Sequence, residues 1–260
     1  MNHSNHRGWF MWYDLMTSNM KGAEEFYPKV TGWSVENWRG GPMPYQLWRV
    51  GEVAVGGSME LPEEARAMGE PSQWRAHVGV ADVDGVCRRV EELRGRVVRQ
   101  PQDIPQVGRF AVIDDPQGAV LAIFSPGEDS GPGPQSPPSP GRFSWHELAT
   151  NDLNSTMLFY TELFGWEETD TADLGEIGPY RMFGFDGHSF GGMFTTPDSR
   201  LGPPRWLFYV LVKDIEGAVT EVRQGGGTIL NGPMKVPGGD LVAECLDPQG
   251  AAFALHAKKA

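Results

Sequence analysis

The sequence predicts an α+β protein built as two tandem copies of one unit, each copy holding two modules of a strand, a helix and several further strands. Three observations predict it. The second half of the chain repeats the first at a nearly constant offset. Short capped helices lie between strand-like segments, and a Pro- and Gly-rich stretch separates the halves.

The repeat sets the register. Trp12-Tyr13-Asp14-Leu15-Met16-Thr17 aligns with Trp145-His146-Glu147-Leu148-Ala149-Thr150 at an offset of 133. The same offset places Phe26-Tyr27 over Phe159-Tyr160 and Gly32-Trp33 over Gly165-Trp166. It becomes 135 at Tyr45 over Tyr180 and at Gly56-Gly57 over Gly191-Gly192. It settles at 132 for Trp74 over Trp206 and for Asp115-Pro116-Gln117-Gly118 over Asp247-Pro248-Gln249-Gly250. Small loop insertions account for the drift.

Residues 9–16 read as a strand. Ser18 or Asn19 caps a helix whose apolar face is Ala23, Phe26, Tyr27 and Val30, and Gly32 stops it. The pattern recurs with a strand at 74–80, a cap at Asp82 or Asp84, a helix at 83–93 and Gly95 as its stop. Gly225-Gly226-Gly227 follows a helix and reads as another stop. The segment PGPQSPPSPG cannot hold a packed core and reads as a semi-rigid connector. The expected domains are therefore residues 1–125 and 142–260, joined by a linker at 126–141.

A net charge of −12 and the lack of any Lys/Arg cluster exclude a phosphate-binding footprint, so neither nucleic acid nor an anionic membrane is an expected partner. No apolar run approaches the roughly 18 residues of a spanning helix, and the opening residues lack the features of a signal peptide. A cytoplasmic protein, monomer or homodimer, is expected. Cys87, on a helix stripe with Val83, Val86 and Val90, and Cys245, in a strand-like run, have no counterparts across the repeat and read as buried unpaired thiols. His3 and His6 carry no assigned role. Walker-type loops, C-x-x-C, H-E-x-x-H and elbow-like nucleophile settings are absent.

Strand alternation indicates which side chains share a face. In the first strand Phe10, Trp12, Asp14 and Met16 lie together; in the second copy Phe143, Trp145, Glu147 and Ala149 do. Both copies thus place one carboxylate among large apolar groups at the same position. Such a group either finds hydrogen-bond donors, from a Trp N–H, an Arg or a backbone amide, or serves in ligand binding or catalysis. The strand after Trp74 puts Arg75 and His77 on one face, matched by Leu207 and Tyr209; the last strands align Val120, Ala122 and Phe124 with Ala252, Ala254 and His256. Glu147, Tyr209 and His256 form a candidate acid/base set, with Asp14 and His77 a sparser equivalent. Trp12, Trp145, Phe124 and Arg75 are the candidate ligand-binding residues. The matched Trp33/Trp166 and Trp74/Trp206 argue first for core packing.

Asp152-x6-Phe159-Tyr160-x2-Leu163-Phe164-Gly165-Trp166, Val210-x-Val212-x-Asp214-Ile215 and Asp247-Pro248-Gln249-Gly250, with their first-half partners, resemble the vicinal oxygen chelate superfamily of glyoxalase I, extradiol dioxygenases and bleomycin-type resistance proteins. The resemblance spans nearly the whole chain outside the linker and is closest to a tandem, two-domain glyoxalase-like branch. It implies four βαβββ modules, two per domain, forming cupped sheets. It also implies four metal-ligand places per half, occupied here by Trp12 or Trp145, Met59 or Phe194, Arg75 or Leu207, and Ala122 or Ala254. None is a usual divalent-metal ligand, so no cofactor is predicted. Asp14, Glu147, His77 and His256 lie two residues further along the same faces and would be the ligands of a shifted site. Which of them meet depends on whether modules pair within each half, or first with fourth and second with third.

Three functions follow as expectations. The chain is a small-molecule enzyme of lyase or oxygenase type without the usual metal, with Glu147 or Asp14 as base and His256 or Tyr209 as proton donor. Alternatively it sequesters an aromatic metabolite or antibiotic without catalysis, or it is a metal-dependent lyase or dioxygenase using the shifted ligands.

Overall fold

Four Asx residues start the four long helices among the described residues. In the computed structural model, which describes residues 6–41, 43–127, 138–196 and 202–259, the side chains of Asn19, Asp82, Asp152 and Asp214 each accept a backbone N–H of the first helical turn. Each such cap contributes about 1 kcal/mol. The first module is β1 (Phe10–Thr17), α1 (Met20–Thr31), β2 (Ser34–Trp38), β3 (Tyr45–Val50) and β4 (Val53–Glu60), followed by a short helix α2 (Glu63–Ala67). The second is β5 (Gln73–Gly79), α3 (Val83–Glu92), β6 (Arg96–Ile104), β7 (Gly108–Asp114) and β8 (Val120–Pro126). The third is β9 (Phe143–Thr150), α4 (Leu153–Phe164), β10 (Glu167–Asp173), β11 (Pro179–Phe185) and β12 (His188–Thr195). The fourth is β13 (Arg205–Leu211), α5 (Ile215–Gln224), β14 (Thr228–Lys235), β15 (Leu241–Leu246) and β16 (Ala252–Ala257).

Within every module the helix is a crossover that returns the chain so that the first strand lies parallel to the last, while the other neighbours are antiparallel. The strand orders are β2-β3-β4-β1-β5-β8-β7-β6 and β10-β11-β12-β9-β13-β16-β15-β14. This is the α+β arrangement of four βαβββ modules that the sequence predicts.

Gly32 and Gly165 end α1 and α4 in the left-handed conformation, φ 77° in both. Gly95 does not play that part: Leu93 caps α3, and Arg94 takes the positive φ of 66°. Gly95 is instead required by packing, since a Cβ there would lie 2.6 Å from the Asp114 carbonyl. β8 runs through Pro126, the first residue assigned to the linker, and residues 128–137 of that stretch lie outside the described residues.

By contacts the chain divides into two compact units, each discontinuous in sequence. One comprises Met1–Trp12, Ala76–Gln135 and Trp145–Trp206; the other comprises Tyr13–Arg75, Ser136–Ser144 and Leu207–Ala260. The first therefore groups the second and third modules, the second the first and fourth. Each has a helix pair, α3 with α4 and α1 with α5.

Each unit also holds one buried aromatic cluster around a helix tyrosine. Tyr27, fully buried, lies within 5.3–5.8 Å of the rings of Trp33, Trp48, Trp74 and Phe253. Tyr160, also fully buried, lies within 5.3–5.8 Å of Phe164, Trp166 and Trp206. Trp33, Trp74, Trp166 and Trp206 are thus core residues, as their pairing across the repeat suggests. Both tyrosine hydroxyls are engaged at each side. Trp74 Nε1 donates to Tyr27 Oη at 2.8 Å, and Tyr27 donates to Asp247 Oδ2 at 3.0 Å. Trp206 Nε1 donates to Tyr160 Oη at 3.3 Å, and Tyr160 donates to Asp115 Oδ2 at 3.2 Å. The other carboxylate oxygen of each aspartate accepts two backbone N–H groups of its own turn, which explains the repeated Asp-Pro-Gln-Gly.

Cys87 and Cys245 are buried and unpaired, and burial pushes their thiols up to about 11 and about 12. Among the described residues no helix is long and apolar enough to cross a membrane.

Candidate functional site

The two repeated carboxylates find the same kind of partner. Asp14 on β1 pairs in register with Gly57 on β4, and Glu147 on β9 with Gly192 on β12. Neither glycine has a side chain to fill the space beside the carboxylate, and a tyrosine from the next strand fills it instead. A Cβ on Gly57 would meet the Tyr45 ring at 2.1–2.4 Å, and one on Gly192 would meet the Tyr180 ring at 2.1–2.4 Å. Across that gap Tyr45 donates its hydroxyl to Asp14 Oδ1, and Tyr180 donates to Glu147 Oε2 at 3.0 Å. In the second copy Trp145 Nε1 donates to Tyr180 Oη at 2.7 Å.

A run of donors therefore points one way, from indole to phenol to carboxylate. The indole N–H withdraws charge from the phenol oxygen and makes the phenol proton a better donor. Burial, and then the Glu147 charge, raise the Tyr180 hydroxyl well above its ordinary value, so it acts as a neutral donor at physiological pH. Asp14 is buried at 9% exposure while Glu147 is half-buried, so of the two carboxylates Glu147 is the more accessible.

A phenol joins the indole N–H, arginine or backbone amide that the sequence reading anticipates as partners for these carboxylates. The signal was present in the repeat register, where Tyr45 matches Tyr180 and Gly56-Gly57 matches Gly191-Gly192. Parity reasoning within one strand could not show that a side chain two strands away would lie over a missing Cβ.

The other candidates divide between the units. Asp14, Tyr209 and His256 belong to the unit of the first and fourth modules; Glu147 and His77 belong to the other. His77 is buried, with the rings of Phe110 and Phe124 each at 6.3 Å. Tyr209 is buried in β13, in register with Ala254. His256 lies 2.9 Å from both Ser144 and Asp240, two residues that nothing in the sequence pattern joins to it. Trp12, Trp145, Phe124 and Arg75 are half-buried.

His146, next to Glu147, is a core residue. It stacks on Phe10 at 3.7 Å, donates through Nδ1 to the Phe190 carbonyl at 2.6 Å, and is pushed down to about 3 by burial, so it carries no charge at neutral pH. A cavity of about 480 Å³ adjoins Tyr45, walled by Met20, Trp38, Pro44 and Tyr45, with Glu24, Asn37 and Gln46 as polar groups.

The family model described as the Glyoxalase/Bleomycin resistance protein/Dioxygenase superfamily matches residues 9–123 and 142–255. The chain belongs to this superfamily. Among related proteins, CFP32 of Mycobacterium tuberculosis (strain CDC 1551 / Oshkosh), provisionally named a glyoxylase, is 27% identical over 249 residues, covering 94% of this chain and 92% of the relative. The anthracycline biosynthesis protein DauV of Streptomyces sp. (strain C5) is 26% identical over 267 residues, covering 94% and 91%. Of solved structures, the Mn(II)-bound glyoxalase from Novosphingobium aromaticivorans matches with a TM-score of 0.65 at 14% identity, covering 97% of this chain and 82% of that one. The 2,2',3-trihydroxybiphenyl 1,2-dioxygenase of Sphingomonas wittichii strain RW1 matches at 0.65 and 15%, covering 98% and 91%. At those identities the likeness is one of fold.

The places that the resemblance implies for metal ligands do not fit a metal here. They hold tryptophan, methionine or phenylalanine, arginine or leucine, and alanine, which are not divalent-metal donors. Among the described residues no three His, Cys, Asp or Glu side chains converge.

Proposed function

We propose that the chain binds a small organic molecule and moves a proton on it, with Glu147 as the base and Tyr180 as the donor that steadies the charge developing on the ligand. The observation that carries this reading is the Trp145–Tyr180–Glu147 run of hydrogen bonds, repeated in its carboxylate–tyrosine part by Asp14 and Tyr45. A half-buried carboxylate accepts a proton from a carbon or hydroxyl beside a carbonyl. The phenol, released from Glu147 as that group is protonated, can turn its O–H toward the resulting oxyanion. Reactions of that form are isomerisations and eliminations, and they draw on this chain's own residues.

The experiment starts from native mass spectrometry of the intact protein with pooled metabolites, which identifies the bound compound. With that compound, Glu147→Gln lowers turnover by about 10²–10⁴-fold, while Tyr180→Phe lowers kcat with a smaller effect on KM. Unchanged turnover in Glu147→Gln removes the proposal.

The cavity beside Tyr45 favours a second reading, sequestration of an aromatic compound against the Trp38–Tyr45 ring pair without chemical change. The name of DauV, which ties that relative to anthracycline biosynthesis, is in keeping with a polycyclic aromatic ligand. Recovery of the ligand unaltered, with Trp38→Ala weakening binding, selects this reading over the first.

A further inference from the structure

His256 on β16 stands between a carboxylate and a hydroxyl. Its Nε2 is 2.9 Å from Asp240 Oδ2 and its Nδ1 is 2.9 Å from Ser144 Oγ. Asp240 is fixed at its other oxygen, where Oδ1 accepts the Lys259 backbone N–H at 3.0 Å. That bond first, and the His256 bond second, hold the Asp240 carboxyl below its usual range. An ionised Asp240 accepts and cannot donate, so Nε2 carries the ring proton and Nδ1 presents its lone pair to Ser144. The Ser144 hydroxyl has a second acceptor in the Tyr209 carbonyl at 3.3 Å, but the imidazole is the nearer.

Carboxylate, imidazole and hydroxyl in this order are the arrangement that turns a serine into a nucleophile, whichever ring nitrogen faces the serine. The exposure is graded to suit it. The Asp240 side chain is 34% exposed and that of His256 16%, and Ser144 is half-buried rather than sealed. All three residues belong to the unit of the first and fourth modules, whereas Glu147 and Tyr180 belong to the other.

We propose that Ser144 is a nucleophilic serine, activated by His256 and positioned through Asp240, that accepts an acyl group from a small activated ester. Ser144 Oγ attacks the acyl carbon while His256 Nδ1 takes the hydroxyl proton. The ester C–O bond breaks, and the departing alkoxide or phenolate leaves as the alcohol with that proton. Water then attacks the acyl-serine, again giving a proton to Nδ1; the carboxylic acid leaves and Oγ recovers the proton. Ser144 and His256 are the catalytic residues; Asp240 is a positioning residue.

The test uses the full chain and two probes, 4-nitrophenyl acetate and a fluorophosphonate. A burst of nitrophenolate and a single adduct, mapped by peptide mass spectrometry to Ser144, are expected. Ser144→Ala abolishes the adduct, and His256→Gln slows labelling by at least about 100-fold. Asp240→Asn slows it less and, in ¹⁵N NMR spectra of the histidine ring, loses the Nε2–H tautomer that the wild type shows. An adduct elsewhere, no adduct at all, or equal labelling of wild type and His256→Gln overturns the proposal. Asp240→Asn alters a partly exposed side chain, so it keeps the test available should His256→Gln not fold. Labelling of Ser144 in Asp240→Asn at the wild-type rate also counts against it. A loss of turnover in Glu147→Gln with unchanged labelling at Ser144 separates this site from the proton-transfer site.

Discussion

Tyr27, on the first helix, donates its hydroxyl proton to Asp247, 220 residues further along the chain, at 3.0 Å. The bond joins the first module to the fourth within one unit, and Tyr160 with Asp115 makes the same join between the third and second in the other. Tyr27→Phe leaves the ring in place but deprives both Trp74 Nε1 and Asp247 of a buried partner. A loss of about 1–3 kcal/mol in urea unfolding is expected, and Tyr160→Phe should cost a similar amount. A neutral result for either would show that the relay contributes nothing to the fold.

Gly192 sits where the Tyr180 ring needs room. Gly192→Ala places a methyl against ring atoms 2.1–2.4 Å away, so the ring must move and its bond to Glu147 must break. Destabilisation of about 1–3 kcal/mol follows. In a Tyr180→Ala background the ring that the methyl meets is gone, and the same substitution should cost less by at least about 1 kcal/mol. Equal costs in both backgrounds would mean that the glycine serves something other than the tyrosine.

His146 makes stability depend on acid. Buried and neutral in the native state down to about pH 3, it takes a proton near pH 6.5 once the chain unfolds. Between those values the unfolded chain binds more protons, so stability falls as pH drops from about 6.5 toward 3, by up to about 1.4 kcal/mol per pH unit. Asp115 and Asp247, raised from 3.8 chiefly by burial, work in the opposite sense: their contribution is present below 3.8 and lost as pH rises through the raised value. His146→Phe isolates the histidine. It should lower stability at neutral pH, through loss of the Phe190 bond, yet flatten the decline below pH 6 in denaturant titrations.

The two thiols should be silent in the native protein. Both are buried and their pKa values are raised to about 11 and about 12, so thiolate is scarce at pH 8. Ellman's reagent should react slowly with the folded chain and rapidly with both cysteines in guanidinium chloride. Rapid release of one equivalent under native conditions would place one of the two in an open site.

The fold was legible because its determinants are local and occur more than once. An Asx cap, an apolar helix face and a glycine stop can each be read from a few neighbouring residues, and the duplication lets one copy check the other. Asn19, Asp82 and Gly32 are examples. Gly95 misled because close packing and a positive φ both call for glycine, and only the neighbours distinguish them. The candidate site was half legible. Strand parity picked out Asp14 and Glu147, and the repeat exposed Tyr45, Tyr180 and the glycine pairs without saying why they recur. Ser144 and Asp240 could not have been joined to His256, because their meeting depends on how the chain returns after α5.

The discontinuity of the two units bears on biosynthesis. α1 leaves the ribosome well before Asp247 and Phe253, which complete the surroundings of Tyr27 and of which Asp247 lies 220 residues further along. Until then the cluster around Tyr27 lacks the side of its packing that Phe253 supplies, and the nascent chain must avoid aggregation while the intervening residues are made. A truncation after the connector would leave that exposed state permanent, so expression of the amino-terminal half alone should yield inclusion bodies that are rescued by co-expressing the other half.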